Sequence, residues 1–242
     1  VIGSGVSIGE GTVLDANVVI DKDVKIGKNN HFFANCVIGC SPQTLGLSPD
    51  TEIGKLVIGD GNIFHEQVTI HVSIYPDAVT KVGNDNFLMV GVHIGHDCTL
   101  EDKIVMSNYV QISGHCKIET GVWFSGLVAL HQFVTIGKWS YAAGLTGINR
   151  DVPPFLTVSG HYPPRIRGVN KRGLQRAGLS EQQQERIFDA YRKLYRQGGA
   201  LLENATALAQ EDGLDENVRA MIDAITRSSE QQFGRYLEKF RR

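Results

Sequence analysis

The sequence predicts a mainly β fold, a parallel β-helix of hexapeptide repeats, followed by a small bundle of α-helices. Two observations predict it. An aliphatic or Phe side chain recurs every six residues over most of residues 1–148. Glycine is abundant, with 27 residues in 242, above the ~7% usual in globular proteins. A period of six fits neither an α-helix nor a simple strand, whereas each hexapeptide of a β-helix forms one short strand and a tight corner.

The apolar column shows where the coils lie. Its members are Ile2, Ile8, Leu14, Ile20, Ile26, Phe32, Ile38, Ile58, Phe64, Ile70, Val82, Leu88, Ile94, Leu100, Met106, Ile112, Ile118, Phe124, Leu130, Ile136, Ala142 and Ile148. Glycines such as Gly95 and Gly137 follow this column directly, where the chain must turn. Because three hexapeptides complete one coil, residues 18 apart in the sequence are expected to stack at about 4.8 Å.

Two stretches rich in turn-forming residues interrupt the period, near residues 40–56 and near residues 72–80. We expect both to leave the coil as loops, and loops on a rigid scaffold commonly carry specificity. The β-helix is expected to span residues 1–164.

A helical domain is expected over residues 165–242. Ser180 and Gln183 have the spacing of a capping box, and Gly198 is a stop signal for the helix that begins there. Further helices are expected over about 200–211, 216–228 and 229–241.

Charge separates the two regions. Residues 1–164 hold 9 basic and 15 acidic side chains, and residues 165–242 hold 15 and 11. The chain has no apolar run long enough to span a membrane and no signal-peptide pattern at its first residues, so we expect a cytoplasmic protein. The 4 cysteines are expected to be reduced, with Cys98 and Cys116 stacked as small core side chains rather than as a disulfide or a metal site.

Five histidines fall in or beside the middle coils: His71, His93, His96, His115 and His131. The stacking rule places Asp97 one coil from His115, and Gly114 beside His96. An imidazole with a neighbouring carboxylate and a close backbone N–H suits a general base with its orienting group and an oxyanion donor.

Two other interpretations of the histidines remain open. Histidines at exposed corners can have no role. Alternatively, His71, His93 and His96 could bind zinc and leave a position for water. Since His93 and His96 are three residues apart, an extended strand would point them to opposite faces. We therefore expect no metal, which metal analysis of protein purified without chelator would check.

Several ordered motifs carry a resemblance to a known family. They are His93-Ile-Gly-His96-Asp97-Cys98, Ser113-Gly114-His115, His131-Gln132-Phe133, Asp151-Val152-Pro153-Pro154, Gly168-Val169-Asn170 and Gly173-Leu174. In these motifs the chain resembles the UDP-N-acetylglucosamine O-acyltransferases, hexapeptide-repeat enzymes of the first step of lipid A synthesis. The resemblance implies a homotrimer of left-handed β-helices with active sites between subunits.

The resemblance also implies an activity and its residues. A 3-hydroxyacyl chain would move from acyl carrier protein to the sugar 3-hydroxyl, with no cofactor beyond the phosphopantetheine that carries the donor. His96 matches the general base, Asp97 its orienting carboxylate and Gly114 the oxyanion donor. The residues that match substrate contacts are His71, His93, His115, His131, Gln132, Gln43, Asn170 and Arg176, and Gly144 matches the position that sets acyl-chain length. The basic helical region would receive the acidic carrier protein, with neither nucleic acid nor a membrane as a partner.

The chain departs from the family pattern where the acceptor binds. The loop Pro42-Gln43-Thr44-Leu45-Gly46 keeps the glutamine but lacks the acid and the lysine usual there, and Arg172 replaces an acidic uridine contact. Two alternatives follow. One is a related acyltransferase with another acceptor or donor, such as an N-acyltransferase on a UDP-3-amino sugar or an acetyl-CoA enzyme. The other is a catalytically reduced trimer that binds a nucleotide sugar.

Overall fold

The computed structural model describes residues 1–48 and 50–241. These residues form three sheets, and successive strands of the coils lie in successive sheets. The first sheet contains Ser7–Ile8, Val24–Ile26, Lys55–Ile58, Val79–Val82, Thr99–Leu100, Lys117–Ile118 and Thr135–Ile136. The second contains Val13–Leu14, His31–Phe32, Ile63–Phe64, Phe87–Leu88, Val105–Met106, Trp123–Phe124, Tyr141–Ala142, Leu156–Ser159 and Arg165–Val169. The third contains Val19–Ile20, Val37–Cys40, Thr69–His71, His93–Ile94, Gln111–Ile112, Ala129–Leu130 and Gly147–Ile148.

The predicted stacking of the coils is confirmed by the strand register. His93 pairs with Gln111 in a parallel ladder, which is the expected 18-residue step. The two interruptions lengthen this step, because Ile63 pairs with His31 on one side and with Phe87 on the other. Both predicted loops therefore leave the coil without breaking the ladders.

From Ile20 onward the apolar column fills the space between the three sheets, whereas Ile2 and Ile8 at its start are exposed. Ile94, Ile112 and Leu130 are all buried, and the rings of Phe32 and Phe64 stack with their centroids 4.5 Å apart. Cys98 and Cys116, predicted as small core side chains, are also in this core, where both are buried and free.

Corner residues adopt the left-handed backbone conformation at regular intervals. Asp97, His115 and Phe133 have φ values of 59°, 62° and 66°, although few residues other than glycine adopt this region. The three residues belong to one edge of the β-helix because each follows the previous one by one coil. This edge carries the site described below.

Four α-helices and a 3₁₀ helix follow the coils within the described residues. They are α1 (Lys171–Arg176), α2 (Glu181–Tyr195), α3 (Leu201–Leu208), α4 (Glu216–Ser229) and the 3₁₀ helix Tyr236–Phe240. The predicted capping box of Ser180 and Gln183 is present at the start of α2. None of the helices in the described part of the chain is both long and apolar enough to cross a bilayer.

The end of the chain differs from expectation. The helix predicted over 229–241 is wrong, since α4 ends at Ser229 and a turn precedes the 3₁₀ helix. Gly234, with φ of 65°, provides that turn, where a side chain would be strained. The strand Arg165–Val169 also pairs antiparallel with Leu156–Ser159, so the second sheet extends past the expected boundary at 164/165.

Candidate active site

The His96–Asp97 turn joins a strand of the third sheet to a strand of the first. It forms the tight corner between His93–Ile94 and Thr99–Leu100. The backbone N–H of Asp97 donates to the hydroxyl oxygen of Thr80 at 2.8 Å. Aspartate is among the residues that best tolerate this left-handed corner, and the Thr80 contact fixes the turn against the neighbouring strand Val79–Val82.

A network of donors holds the Asp97 carboxylate. His96 Nδ1 lies 2.8 Å from Asp97 Oδ2. Asp97 also accepts from the Ser73 hydroxyl at 2.5 Å and from the backbone N–H of Ile74 at 3.2 Å. Burial alone would raise the pKa of Asp97, but the hydrogen bonds from His96, Ser73 and Ile74 outweigh it and hold the pKa below its ordinary value.

An ionised Asp97 decides which nitrogen of His96 carries the proton. Because a carboxylate accepts only, the neutral imidazole bonds to it through Nδ1–H. Nε2 is then left with its lone pair, the state that a general base needs. The His96 side chain is only 14% exposed, so the ring has a defined orientation.

Gly114 lies against the other side of the imidazole, as the stacking rule predicts. A Cβ built on Gly114 would lie 2.7 Å from both Cε1 and Nε2 of His96, closer than carbon atoms normally approach. Only glycine therefore allows this contact. The adjacent backbone N–H of His115 donates to the carbonyl of His96 at 2.9 Å, which fixes the spacing of the two corners.

His115 completes the cluster from the next coil. Its Nε2 lies 4.0 Å from Asp97 Oδ2, and its ring centroid lies 4.9 Å from that of His96. The other face of the ring stacks on Phe133 at 4.5 Å. Burial lowers the pKa of His115, more than the neighbouring carboxylate raises it, which favours a neutral ring at pH 7.

His71 and His93 form a second pair on the third sheet. Their ring centroids are 5.0 Å apart. His93 Nδ1 lies 2.9 Å from the Thr69 hydroxyl, and His71 Nδ1 lies 2.7 Å from the Ser41 carbonyl. Burial, reinforced by the nearby His71 and His96, lowers the pKa of His93 to about 4. Both rings are oriented by partners and lie on strands of the third sheet rather than at exposed corners. Their predicted contacts with a substrate stay predictions.

The other predicted residues have local partners of their own. His131 Nδ1 lies 3.1 Å from the carbonyl of Gln132, whose side chain is exposed. Asn170 caps α1 by accepting from Gly173 N–H at 3.2 Å and is 8% exposed. Arg176 packs over the ring of Trp123 with Cζ 4.5 Å from its centroid. Asn170 thus has a structural role as a helix cap, and its contact with a substrate stays a prediction.

Of two further predicted residues, Gly144 lies on a different edge of the β-helix from His96, whereas the loop of Gln43 joins the same two sheets as the His96 corner. Gln43 is exposed on the loop after Val37–Cys40. Gly144 is exposed at the corner between Tyr141–Ala142 of the second sheet and Gly147–Ile148 of the third. The His96 corner joins the third sheet to the first, so Gly144 and His96 occupy different edges of the β-helix. A Cβ on Gly144 would meet its nearest atom at 3.5 Å, so a larger residue fits there.

The grouping that resembles a metal site differs from the predicted one. Among the described residues it consists of His96, Asp97 and His115, whose ligand atoms lie within 4.8 Å of one another. His71 and His93 are not part of it. The Asp97 carboxylate accepts from Ser73, from a backbone N–H and from His96, so this cluster is a hydrogen-bonded network. That the site holds no metal stays a prediction.

Comparisons with known proteins give the family of this chain. A family model described as UDP-N-acetylglucosamine O-acyltransferase, domain 2, matches residues 151–233. The acyl-[acyl-carrier-protein]–UDP-N-acetylglucosamine O-acyltransferase of Anaeromyxobacter sp. (strain Fw109-5) is 38% identical over 200 residues, covering 81% of this chain and 76% of that protein. The chain belongs to the UDP-N-acetylglucosamine O-acyltransferase family.

Solved structures of the family share the fold. The Francisella novicida UDP-N-acetylglucosamine acyltransferase superposes with a TM-score of 0.88 at 35% identity, over 93% of this chain and 82% of that one. The Arabidopsis enzyme gives a TM-score of 0.81 at 27% identity, over 96% and 94%. The predicted left-handed β-helix with a helical part is thereby confirmed.

The match in length is incomplete for some relatives. The acyl-[acyl-carrier-protein]–UDP-N-acetylglucosamine O-acyltransferase of Gloeothece citriformis is 41% identical over 179 residues, which cover 74% of this chain. The chain spans 64% of the length of that relative and of the Synechocystis one.

The residues that support Asp97 were not predicted from the sequence. Ser73, Ile74 and Thr80 all belong to the second predicted loop or its edge. Ser73 and Ile74 lie where the chain leaves the coil, so no stacking rule assigns them to a neighbour, and Thr80 is 17 residues before Asp97. The signal that could have found them is the loop's position, one coil before the His96–Asp97 turn.

Proposed function

We propose that this protein transfers a 3-hydroxyacyl chain from acyl carrier protein to the 3-hydroxyl of UDP-N-acetylglucosamine, the first step of lipid A synthesis. The observation that carries the proposal is the His96 imidazole, bound to Asp97 through Nδ1 at 2.8 Å and in contact with Gly114 near Nε2. The names of its relatives, acyl-[acyl-carrier-protein]–UDP-N-acetylglucosamine O-acyltransferases, support it.

The proposed reaction uses one base and one oxyanion donor. His96 Nε2 removes the proton of the sugar hydroxyl while that oxygen attacks the thioester carbonyl, and Asp97 stabilises the imidazolium that forms. The Gly114 N–H donates to the oxyanion of the tetrahedral intermediate. When the C–S bond breaks, His96 returns the proton to the departing thiolate. Since a thioester is already activated, the step requires neither a metal nor ATP.

The substrate contacts are assigned to residues around this centre. The His93 ring is half-buried and the His71 ring is buried, and both suit a sugar acetamido group. His115 and His131 are assigned to the phosphates and the pantetheine along the same edge. Gln132, Gln43, Asn170 and Arg176 are further binding residues, and Gly144 limits acyl-chain length. Because Gly144 and His96 occupy different edges of one β-helix, a homotrimer would bring them together between neighbouring copies.

The acceptor loop favours a second candidate. Leu45 is fully exposed at 102%, and neither it nor Thr44 supplies the charges that the family usually has there. Transfer to the nitrogen of a UDP-3-amino sugar uses the same base and the same oxyanion donor. The two candidates therefore differ only in the acceptor atom.

One assay tests both candidates. The protein is incubated with 3-hydroxyacyl carrier proteins of several chain lengths, together with UDP-N-acetylglucosamine or its 3-amino analogue, and products are identified by mass spectrometry. We expect an ester on the acetamido sugar that mild base hydrolyses. A base-stable amide on the analogue alone would replace the O-acyl proposal with N-acyl transfer, and no product with either acceptor would refute acyl transfer.

A further inference from the structure

The residues after α4 lie on the same edge of the β-helix as the His96–Asp97 turn. We propose that the 235–241 segment forms a wall of the active site beside His115, and that the guanidinium of Arg241 binds a phosphate group of a substrate there. The inference rests on the proposed acyl transfer, whose nucleotide-sugar and phosphopantetheine substrates both carry phosphate.

The segment is anchored to the last coil of the β-helix. The backbone N–H of Tyr236 donates to Asp151 Oδ2 at 2.9 Å, and the N–H of Asp151 donates to the carbonyl of Gly234 at 2.7 Å. Arg235, which is 7% exposed, donates to the carbonyl of Asn149 at 2.9 Å. These bonds join positions more than 80 residues apart in the sequence and fix the segment relative to the coils.

A cavity of about 350 Å³ lies between the segment and the catalytic edge. Leu237 and Phe240 line one side of it, and Asp97, His115 and Phe133 line the other. Asp97, His115 and Phe133 form one column of corner residues. Asp97 in this column is the carboxylate proposed to orient the base. The segment therefore faces the proposed reacting region and contributes two apolar side chains to its lining.

Arg241 places a cation at the rim of this cavity. Its Cζ lies 4.9 Å from the centroid of Phe133, whose ring stacks on His115. The Arg241 side chain is 54% exposed and lies 3.4 Å from Glu238. Glu238 also pairs with Arg235 at 2.7 Å. Glu238 is therefore held more closely by Arg235, and Arg241 is the more distant and the more exposed of the two guanidinium groups.

The chemistry of this cation fits a phosphate. The planar guanidinium donates two parallel hydrogen bonds to phosphate oxygens, and its exposed part is accessible to a ligand. Lys117 also lines the cavity, but Glu101 and Glu119 each lie 3.3 Å from its ammonium. Its charge is thus compensated, and Arg241 is the better anion partner of the two.

Steady-state kinetics with each substrate varied in turn test the inference. Arg241→Ala and Arg241→Lys are compared with Lys239→Ala, which removes the same charge from the same segment. Lys239 pairs with Glu230 at 3.0 Å on the exposed surface. We expect KM for one phosphate-bearing substrate to rise about tenfold in Arg241→Ala, as for the loss of a charge-assisted hydrogen bond. The kcat value should stay within about twofold, and Arg241→Lys should recover part of the loss because it keeps the charge.

The outcomes separate the possible phosphates. A rise in KM for UDP-N-acetylglucosamine alone assigns the diphosphate, and a rise for the acyl carrier protein alone assigns the phosphopantetheine phosphate. Unchanged KM values, or equal rises in Arg241→Ala and Lys239→Ala, would overturn the inference.

A failure of the proposed function is distinguishable from a failure of this inference. If the wild-type protein transfers no acyl group, calorimetry with UDP-N-acetylglucosamine and with phosphopantetheine is carried out on the same variants. Weaker binding to Arg241→Ala than to Lys239→Ala supports the inference, and equal binding overturns it.

Discussion

The His96–Asp97 turn and the loop of residues 41–48 both lie outside the strands, but their surroundings differ greatly. The Asp97 side chain is 9% exposed and accepts from Ser73, Ile74 and His96. In the loop, Leu45 is 102% exposed, and a Cβ on Gly46 would have no described heavy atom within 4 Å. The groups proposed for chemistry are therefore fixed before substrate arrives, whereas the loop proposed for acceptor choice has few contacts of its own.

This contrast separates two kinds of specificity. A catalytic geometry that must be accurate to a fraction of an ångström is built on a packed corner, where neighbouring coils determine each position. A loop with little packing can change its sequence at little cost to stability. The departures from the family pattern at Thr44, Leu45 and Gly46 fall in the second kind of region.

Gly114→Ala should cause the largest loss. Its Cβ would lie 2.7 Å from His96 Nε2, so the imidazole must shift away from its Asp97 partner. Misplacement of this size lowers kcat by about 100-fold, measured in the mass-spectrometric assay. Gly126→Ala is the matched control, because its Cβ would meet the nearest atom at 3.5 Å. If the two variants were equally active, close packing at Gly114 would not matter.

Ser73→Ala should have an intermediate effect. Loss of its hydrogen bond leaves Asp97 less well held, and kcat should fall about tenfold. The hydrogen bonds that depress the pKa of Asp97 stabilise the fold above the ordinary pKa of an aspartate, and this stability is lost as pH falls through the lower folded value. The melting temperature should therefore drop more at pH 7 than at pH 3.

Ser125→Ala is the control for this pH dependence. The Ser125 hydroxyl lies 2.7 Å from the hydroxyl of Tyr141, which involves no carboxylate. Its effect on the melting temperature should be the same at the two pH values. A Ser73→Ala effect that is equally independent of pH would contradict the role given to Ser73.

Thr44→Asp should have the smallest effect, and only on binding. It introduces a carboxylate into the exposed loop, and one new hydrogen bond to a sugar hydroxyl lowers KM for UDP-N-acetylglucosamine by about two- to fivefold. The melting temperature and kcat should not change. Leu45→Asp adds the same charge one residue further along. A loss of kcat in Thr44→Asp would show that the loop affects catalysis as well as binding.

Much of the β-helix could be predicted because its repeat is strict. The six-residue column assigns each strand, and the 18-residue step places His96 beside Gly114 and Asp97 beside His115, as the structure confirms. Each of these contacts joins adjacent coils, so counting along the sequence is sufficient. The Ser180–Gln183 capping box could also be predicted, because it is a local pattern within one turn of helix.

The remainder depends on contacts that no period contains. The loop of Ser73 and Ile74 leaves the coil, so its return to Asp97 cannot be counted. The segment after Gly234 has a helical composition, but its bonds to Asn149 and Asp151 hold it against the last coil. Tertiary contacts there override local helix propensity.

The central claim is that Asp97 holds the proton of neutral His96 on Nδ1 and leaves Nε2 free to act as the base. Nitrogen-15 NMR of histidine-labelled protein tests it directly, with His96→Gln used to assign the signal. The chemical shifts should correspond to a protonated Nδ1 and an unprotonated Nε2 in the neutral ring. A neutral ring protonated on Nε2 would contradict the account, since that nitrogen could not remove a proton from the acceptor.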